Sequence, residues 1–417
     1  MTDSPLMTDS ELRRALMVDA DRCVKCGLCL PHCPTYVESG HEGESPRGRI
    51  ALLQGLASDL IPLTPAGEAH IDNCLDCRSC ESVCPAQVPY GRLLDRGRAW
   101  MTSQRPARAT AARVVPSLLA GKSWRRLIIS AFWIYQRSGL SRLLRAFAPF
   151  RHSRAGRLEN LLPRLRLPRD PASLLPQAES ATATVQLFTG CMGDSVELDA
   201  AGALTELLQA AGHRVHIPAQ QQCCGALHMH AGLPGKATAL LDKNEQAFAG
   251  TLPIASLASG CRIGLQDVGR ARIQADGGLN LRLRDPFALL NQGRPLAFAP
   301  LDAGVALHVP CTQRLTPEGA EPTMQLLRRI PQLRPMRLAV SRSCCGAAGS
   351  YLLTQPEMSD RLLEHTLDAI AASGCGLVVS GNVGCRLHIE AGLRRRGLPV
   401  EVLHPAVLLQ RQLQARD

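Results

Sequence analysis

Eight of the 17 cysteines fall into two runs of identical spacing. The first is Cys23-x-x-Cys26-x-x-Cys29-x-x-x-Cys33-Pro34, and the second is Cys74-x-x-Cys77-x-x-Cys80-x-x-x-Cys84-Pro85. Three thiolates spaced two residues apart can wrap one face of an iron–sulfur cubane, each on a different iron. The fourth, turned away by the chain and held by the following proline, serves the neighbouring cluster. The spacing therefore predicts one [4Fe–4S] cluster on Cys23, Cys26, Cys29 and Cys84, and a second on Cys74, Cys77, Cys80 and Cys33. Structural zinc prefers separate CxxC pairs, each giving two corners of a tetrahedron, and fits a triple run poorly.

The remaining cysteines form a repeat. Cys191, Cys223-Cys224-Gly225 and Gly260-Cys261 recur 120 residues later as Cys311, Cys344-Cys345-Gly346 and Gly384-Cys385. The offsets from the first cysteine are 32, 33 and 70 residues in one copy and 33, 34 and 74 in the other, which points to an internal duplication. In each copy the first and last cysteines follow apolar runs that read as strands, and ligands of open parallel sheets gather outside the carboxyl ends of strands. Cys191, Cys223, Cys224 and Cys261 are thus expected to converge, as are Cys311, Cys344, Cys345 and Cys385. Three chemistries stay open for these sets: a further iron–sulfur centre, a dithiol redox or substrate site, and structural zinc or plain buried thiols. His228, His230 and His308 lie close in sequence and read either as supports of a metal site or as packed residues. Cys375 is left over, as a buried thiol.

The elements that must position these thiols divide the chain into four stretches. Residues 15–100 carry the ferredoxin-type runs, separated by Pro46-Arg47-Gly48-Arg49 and a helical stretch Ile50–Leu56. Arg47 and Arg49 stand either to offset cluster charge or at a solvent-facing helix start. Residues 101–182 lack cysteine and read as a basic helical connector. Residues 183–300 and 301–410 alternate short apolar runs with helices. Val185–Thr189, Arg214–Ile217, Ile254–Ala258, Ala306–Val309, Leu377–Ser380 and Val400–Leu403 read as strands, and Ala200–Ala211 and Met358–Ala372 as helices. The expected fold is α/β: an N-terminal α-helical ferredoxin-like domain with two 4Fe–4S sites, then two duplicated α/β Cys-Cys-Gly (CCG, cysteine-rich) domains.

A net charge of +11 invites a nucleic-acid reading, but its distribution argues against one. Residues 101–168 hold fourteen Lys/Arg and one acid, Glu159; the rest of the chain is nearly neutral. Aromatic residues are only 3% of the chain, too few for a base-stacking surface elsewhere, and the cysteine spacing is not that of a zinc finger. In the basic stretch Arg125, Arg126 and Arg137 flank Trp124, Ile128, Ile129, Phe132, Trp133 and Tyr135. That mixture suits a helix on an anionic membrane surface, a helix docked on a partner protein, or a solvated connector. Met1–Arg14 has no apolar core of a signal peptide, so a reducing, cytoplasmic setting is expected, with the inner membrane face as a peripheral site.

Taken together, the two runs, the Pro46–Arg49 linker, Cys344-Cys345-Gly346-Ala347-Ala348-Gly349 and Asn382-Val383-Gly384-Cys385 resemble the glycolate oxidase iron–sulfur subunit family. The resemblance covers about residues 15–410. It implies an electron-transfer subunit with no catalytic residue of its own. An FAD-binding partner subunit would oxidise glycolate, and to some extent D-lactate, and electrons would pass to quinone or another membrane acceptor. The subunits of lactate and anaerobic glycerol-3-phosphate dehydrogenases belong to the same wider group and remain alternatives. In the heterodisulfide reductase relatives the repeat ends in CxxC; here Ala258 and Asn382 stand where the additional cysteine would be. The disulfide-reducing chemistry is therefore not implied.

Overall fold

The computed structural model describes residues 7–105, 114, 116–146, 154–176, 182–271, 278–340 and 344–414. The N-terminal unit is helical. Helix Asp9–Ala20 starts at a capping box in which Thr8 and Glu11 satisfy each other's backbone N–H groups. It packs on helices Pro46–Ala57 and Tyr90–Gln104 through Leu16, Leu53, Leu56, Leu93, Leu94 and Met101, all buried. Helix Pro46–Ala57 starts abruptly because Pro46 fixes φ and Ser45 Oγ accepts from Gly48 N (2.9 Å). Gly48 is needed there: a Cβ would sit 2.0 Å from the carbonyl oxygen of Glu42. The Pro-Arg-Gly-Arg linker is thus a helix start pressed against its own preceding turn, and it fixes where its two arginines point.

The remainder is built on two four-stranded parallel sheets. Strands β1 (Val185–Phe188), β2 (Val215–His216), β3 (Ile254–Ser256) and β4 (Leu283–Arg284) lie in the order β2-β1-β3-β4. Strands β5 (Ala303–Leu307), β6 (Leu333–Arg337), β7 (Leu377–Val379) and β8 (Glu401–Leu403) lie in the order β6-β5-β7-β8. The identical order makes the duplication seen in the cysteine spacing a duplication of fold. Both halves bury their helices on one continuous core. Val185, Leu187, Leu204 and Leu207 from the first meet Val305, Leu307, Leu327 and Leu409 from the second. β4 and β6 were not expected. Both are edge strands, and β6 carries Pro335 between two arginines, a composition edge strands tolerate and apolar pattern reading passes over.

The basic stretch folds back on both repeats. Helix Lys122–Arg137 buries Arg125 and Ile129, and Arg125 pairs with Asp194 at 3.0 Å. Further on, Asn160 contacts the second repeat through Ala391 O (3.2 Å) and through Arg394, which donates to Asn160 O (2.6 Å). Among the described residues no helix is long and apolar enough to cross a membrane.

Candidate metal centres

The two ferredoxin-type loops share an unusual backbone. Lys25 and Gly27 in the first loop, and Asp76 and Arg78 in the second, occupy equivalent spacer positions and all have positive φ, between 50° and 84°. Left-handed residues curl the loop so that alternate side chains point inward, at a cost of about 1 kcal/mol or more for each non-glycine. Three such strained non-glycine residues are held because the loops close round a common point. In the first loop a Cβ at Gly27 would lie 2.8 Å from Arg47 Nη1, so glycine lets that arginine pass over the loop. Arg47 also donates to Lys25 O (3.4 Å) and pairs with Glu42 (2.7 Å).

One cavity is lined by Cys23, Cys26, Cys29 and Cys84, together with Arg47, Ile50, Val88 and Tyr90; Cys80 also borders it. The last cysteine of the second run thus joins the first three of the first run. Reciprocally, the charges that raise the buried Cys80 thiol, after burial itself, are those of Cys77, Cys74 and Cys33. Cys33, from the first run, lies with the thiols of the second. Its Sγ is 3.3 Å from Thr35 Oγ1 and 3.9 Å from Arg49 Nη1. Tyr90 donates to Cys74 Sγ (3.6 Å), and Val88 N donates to Cys84 Sγ (3.5 Å). Burial pushes the Cys77 thiol to about 12 and Cys80 well above the usual thiol range. Burial of this kind keeps the groups as neutral thiols at neutral pH; a cation among them, such as the irons of a cluster supply, would hold them as thiolates. The donor set fits the group.

Arg49 is 1% exposed and therefore does not face solvent. It donates to Glu44 O, Glu44 Oε2, Thr35 Oγ1 and His70 O at 2.5–3.1 Å. Of the two linker arginines, Arg47 covers the first loop and Arg49 lies beneath Cys33.

In the repeats, Cys191 contacts Cys223, Cys223 contacts Cys224, and Cys224 contacts Cys261, thiol to thiol. The second copy forms the same chain from Cys311 through Cys344 and Cys345 to Cys385. Both expected convergences are present. They differ in character. Hydrogen bonds from Cys191 and Cys224 hold Cys223 well below the usual thiol range, whereas at its equivalent, Cys344, the lowering contact with Cys311 is outweighed by Cys345 and burial, which push it well above. A pocket opens beside the first set, lined by Cys191, Cys223, Thr189 and Gln221 and, from the basic stretch, by Lys122 and Arg125.

The Cys74–Cys80 loop is held against both repeats. Arg78 forms a two-pronged pair with Asp267 (3.1 and 2.8 Å), and Asp76 lies 2.9 Å from His230 Nδ1, with Asp95 at 3.4 Å. Burial opposes charge on His230, but Asp76 and Asp95 raise its pKa to about 10. On the other side Cys77 packs on a small apolar cluster containing Leu75, Cys344 and Tyr351. Tyr351 donates to Asn73 O (3.3 Å), and His365 meets Glu38 (2.8 Å). His228 is buried near Cys223, and a ring nitrogen of His308 lies within 4.8 Å of the Cys345 and Cys385 sulfurs. Asp76, Arg78, Asp267 and Tyr351 escaped sequence reasoning: two occupy spacer positions of the CxxC units, and the others bear no motif. Cys375 is buried beside Ser373 O, outside these groups.

A 4Fe-4S dicluster domain family model matches residues 19–88, and a cysteine-rich domain model matches residues 185–266 and 305–390. A probable glycolate oxidase iron-sulfur subunit of Bacillus subtilis (strain 168) is 32% identical, the alignment covering 93% of this chain and 92% of the relative. This chain belongs to the glycolate oxidase iron–sulfur subunit family. The glycolate oxidase iron-sulfur subunit of Escherichia coli (strain K12) is 28% identical over 93% of this chain and 95% of its own. Lactate utilization protein A of Macrococcus caseolyticus (strain JCSC5402) is 25% identical over 55% of this chain and 98% of its own. As a member of the family, this iron–sulfur subunit binds iron–sulfur groups through its dicluster and cysteine-rich domains.

Proposed function

We propose that this chain is the electron-transferring subunit of a complex that oxidises glycolate to glyoxylate, with D-lactate as a secondary substrate. The hydride chemistry takes place on an FAD-binding partner subunit. Cys23, Cys26, Cys29 and Cys84 hold one [4Fe–4S] group, Cys74, Cys77, Cys80 and Cys33 hold a second, and Cys311, Cys344, Cys345 and Cys385 hold a further centre. When bound, these groups supply the one-electron steps that join a two-electron flavin to its acceptor. The observation that carries the reading is the seat of Cys77. It belongs to the second ferredoxin-type loop and packs on the cluster containing Cys344, so two thiol sets of different domains share one apolar contact. Chain groups hold that contact: Tyr351 fixes the backbone ahead of Cys74, and Arg78 and Asp76 clamp the loop to the first repeat.

The acceptor is quinone, reached from the cytoplasmic face of a membrane. Leu127 and Ile134 of helix Lys122–Arg137 are each 60% exposed, on the side away from the buried Arg125 and Ile129, and Trp124 and Phe132 add further exposed rings, in a stretch of strong positive charge. An apolar helix face within a basic surround suits an anionic lipid surface. Flotation of the full chain with anionic vesicles at low salt, weakened by Trp124→Glu, supports this contact; no flotation removes it.

The substrate assignment is tested on the co-purified complex. Glycolate must reduce the iron–sulfur centres of this chain, so that the EPR signals of their reduced form appear, more effectively than lactate or glycerol 3-phosphate does. A bound flavoprotein that ignores glycolate overturns the assignment in favour of the lactate or anaerobic glycerol-3-phosphate reading.

A further inference from the structure

We infer that His308 is a nitrogen ligand to iron in the second CCG centre, beside Cys311, Cys344, Cys345 and Cys385. The inference rests on the reading that this thiol set holds an iron–sulfur centre. His308 directly follows β5, and its backbone N–H donates to Val379 O at the end of β7 (2.9 Å). The side chain is 4% exposed. One ring nitrogen, Cys345 Sγ and Cys385 Sγ all lie within 4.8 Å of one another, a spacing that a single metal atom can bridge.

The ring is also held as a ligand histidine is held. Its Nδ1 is 3.1 Å from Ser380 Oγ, itself fully buried. A histidine that binds a metal through one nitrogen has the other fixed by a hydrogen bond, which sets tautomer and ring orientation. Here Ser380 holds the ring through Nδ1.

The fold alone gives no reason for an imidazole at this point. The equivalent residue of the first repeat, three before Cys191, is Phe188. It is 0% exposed and packs on Phe248 with ring centroids 5.7 Å apart. A strand end in this architecture therefore accepts a plain apolar ring. Placing a polar ring in a dry site costs free energy unless its nitrogens find partners, and the hydrogen bond shown for this ring is that of Nδ1 with Ser380. Nor does the helix N-terminus before Cys385 supply a further donor. Asn382 Oδ1 is engaged as the cap, accepting from Gly384 N (3.0 Å) and Cys385 N (3.4 Å). Imidazole suits iron, and replacing thiolate by imidazole on iron raises the reduction potential. The two repeats then differ at this position: the first presents Phe188, and the second presents an imidazole.

The test is pulsed EPR on the full chain, purified anaerobically, with natural and 15N-labelled histidine. The signal of the second CCG centre is identified as the one lost in Cys345→Ser. Expected is a nitrogen hyperfine coupling on that signal which changes with the histidine label. It disappears in His308→Phe, the residue type of the first repeat, and in His308→Cys, while the signals of the ferredoxin-type loops keep their shape. The His308→Cys centre, with thiolate in place of imidazole, is expected to titrate at a lower potential. A Cys345-dependent signal without histidine nitrogen coupling, or one unaltered in His308→Phe, overturns the inference and leaves the centre itself standing. An iron content of about eight per chain with no Cys345-dependent signal overturns the centre, and the ligand with it. The histidine-label comparison itself is made on the unsubstituted chain, and Cys345→Ser serves to identify the signal, so misfolding of a His308 variant does not decide the matter.

Discussion

The guanidinium of Arg49 lies 3.9 Å from Cys33 Sγ, in a side chain that is 1% exposed. The cysteine belongs to the first ferredoxin-type run and the thiols around it to the second. Burial works against the charge on Arg49, and Cys74, Tyr90, Cys33 and Glu44 outweigh it. A fixed cation at this place stabilises the more negative, reduced state of whatever group Cys33 ligates.

Neutralising that cation is therefore expected to lower the potential of the centre proposed on Cys74, Cys77, Cys80 and Cys33. For Arg49→Gln the expected fall is on the order of 100 mV, from Coulomb's law at an effective dielectric constant of about 20 and a few ångströms' separation. Arg49→Lys retains part of the effect. Redox titration followed by EPR measures it, and an unchanged potential in Arg49→Gln refutes the role. The same substitution removes the partner of Glu44 Oε2 while His70 and Asn73 still hold Oε1, so a stability loss of about 1–3 kcal/mol accompanies it.

Ligand exchange between the runs has its own signature. Cys84→Ser is expected to alter the same EPR signal as Cys26→Ser, although the two residues lie in different runs. Cys33→Ser is expected to alter the same signal as Cys77→Ser. If Cys33→Ser instead matches Cys26→Ser, each run holds its own cluster and the crossed assignment is wrong.

The clamp between the second loop and the first repeat carries stability. Arg78 and Asp267 are each 9% exposed in their side chains, so Asp267→Ala leaves an arginine buried without its main partner. The expected loss is about 3 kcal/mol in chemical denaturation. A change below about 0.5 kcal/mol shows that the pair is solvated and does not hold the loop.

Acid sensitivity has a located source in His404. The ring is 0% exposed, donates from Nε2 to Leu257 O (3.1 Å) and accepts from Ala406 N (3.2 Å). Burial, then Arg386, lowers its pKa to about 3. An unfolded histidine protonates near about 6.5. Between these values the unfolded chain binds a proton that the folded chain refuses, so stability falls as pH drops from about 6.5 toward 3, by up to about 1.4 kcal/mol per unit. His404→Gln is expected to flatten this part of the stability–pH curve, and an unchanged slope places the sensitivity elsewhere.

The chemistry of the chain was more legible than its architecture. Thiolate spacing is a local property, so the two runs and the repeated Cys-Cys-Gly units could be read directly, and Cys84 lies in the cavity of the first run's thiols as the spacing implies. Strands β1, β3, β5 and β7 announce themselves as apolar runs because they sit inside their sheets. β6 does not, since an edge strand can carry Arg334, Pro335 and Arg337 without loss. The two linker arginines could not be told apart in sequence. Their roles diverge only because the helix start at Pro46 points Arg47 over Gly27 and turns Arg49 inward. Asp76 and Arg78 stood in spacer positions, where spacing arguments assign no chemistry, yet they join the second loop to His230 and Asp267 across more than 150 residues of chain.

The most direct test of the account is quantitation of iron and acid-labile sulfide in the chain purified without oxygen, with EPR of the reduced form. Two [4Fe–4S] groups predict at least about eight irons and eight sulfides per chain and two interacting spin centres, with about twelve of each when the second CCG centre is filled. Little or no iron and sulfide, or stoichiometric zinc in the ferredoxin-type loops, contradicts it.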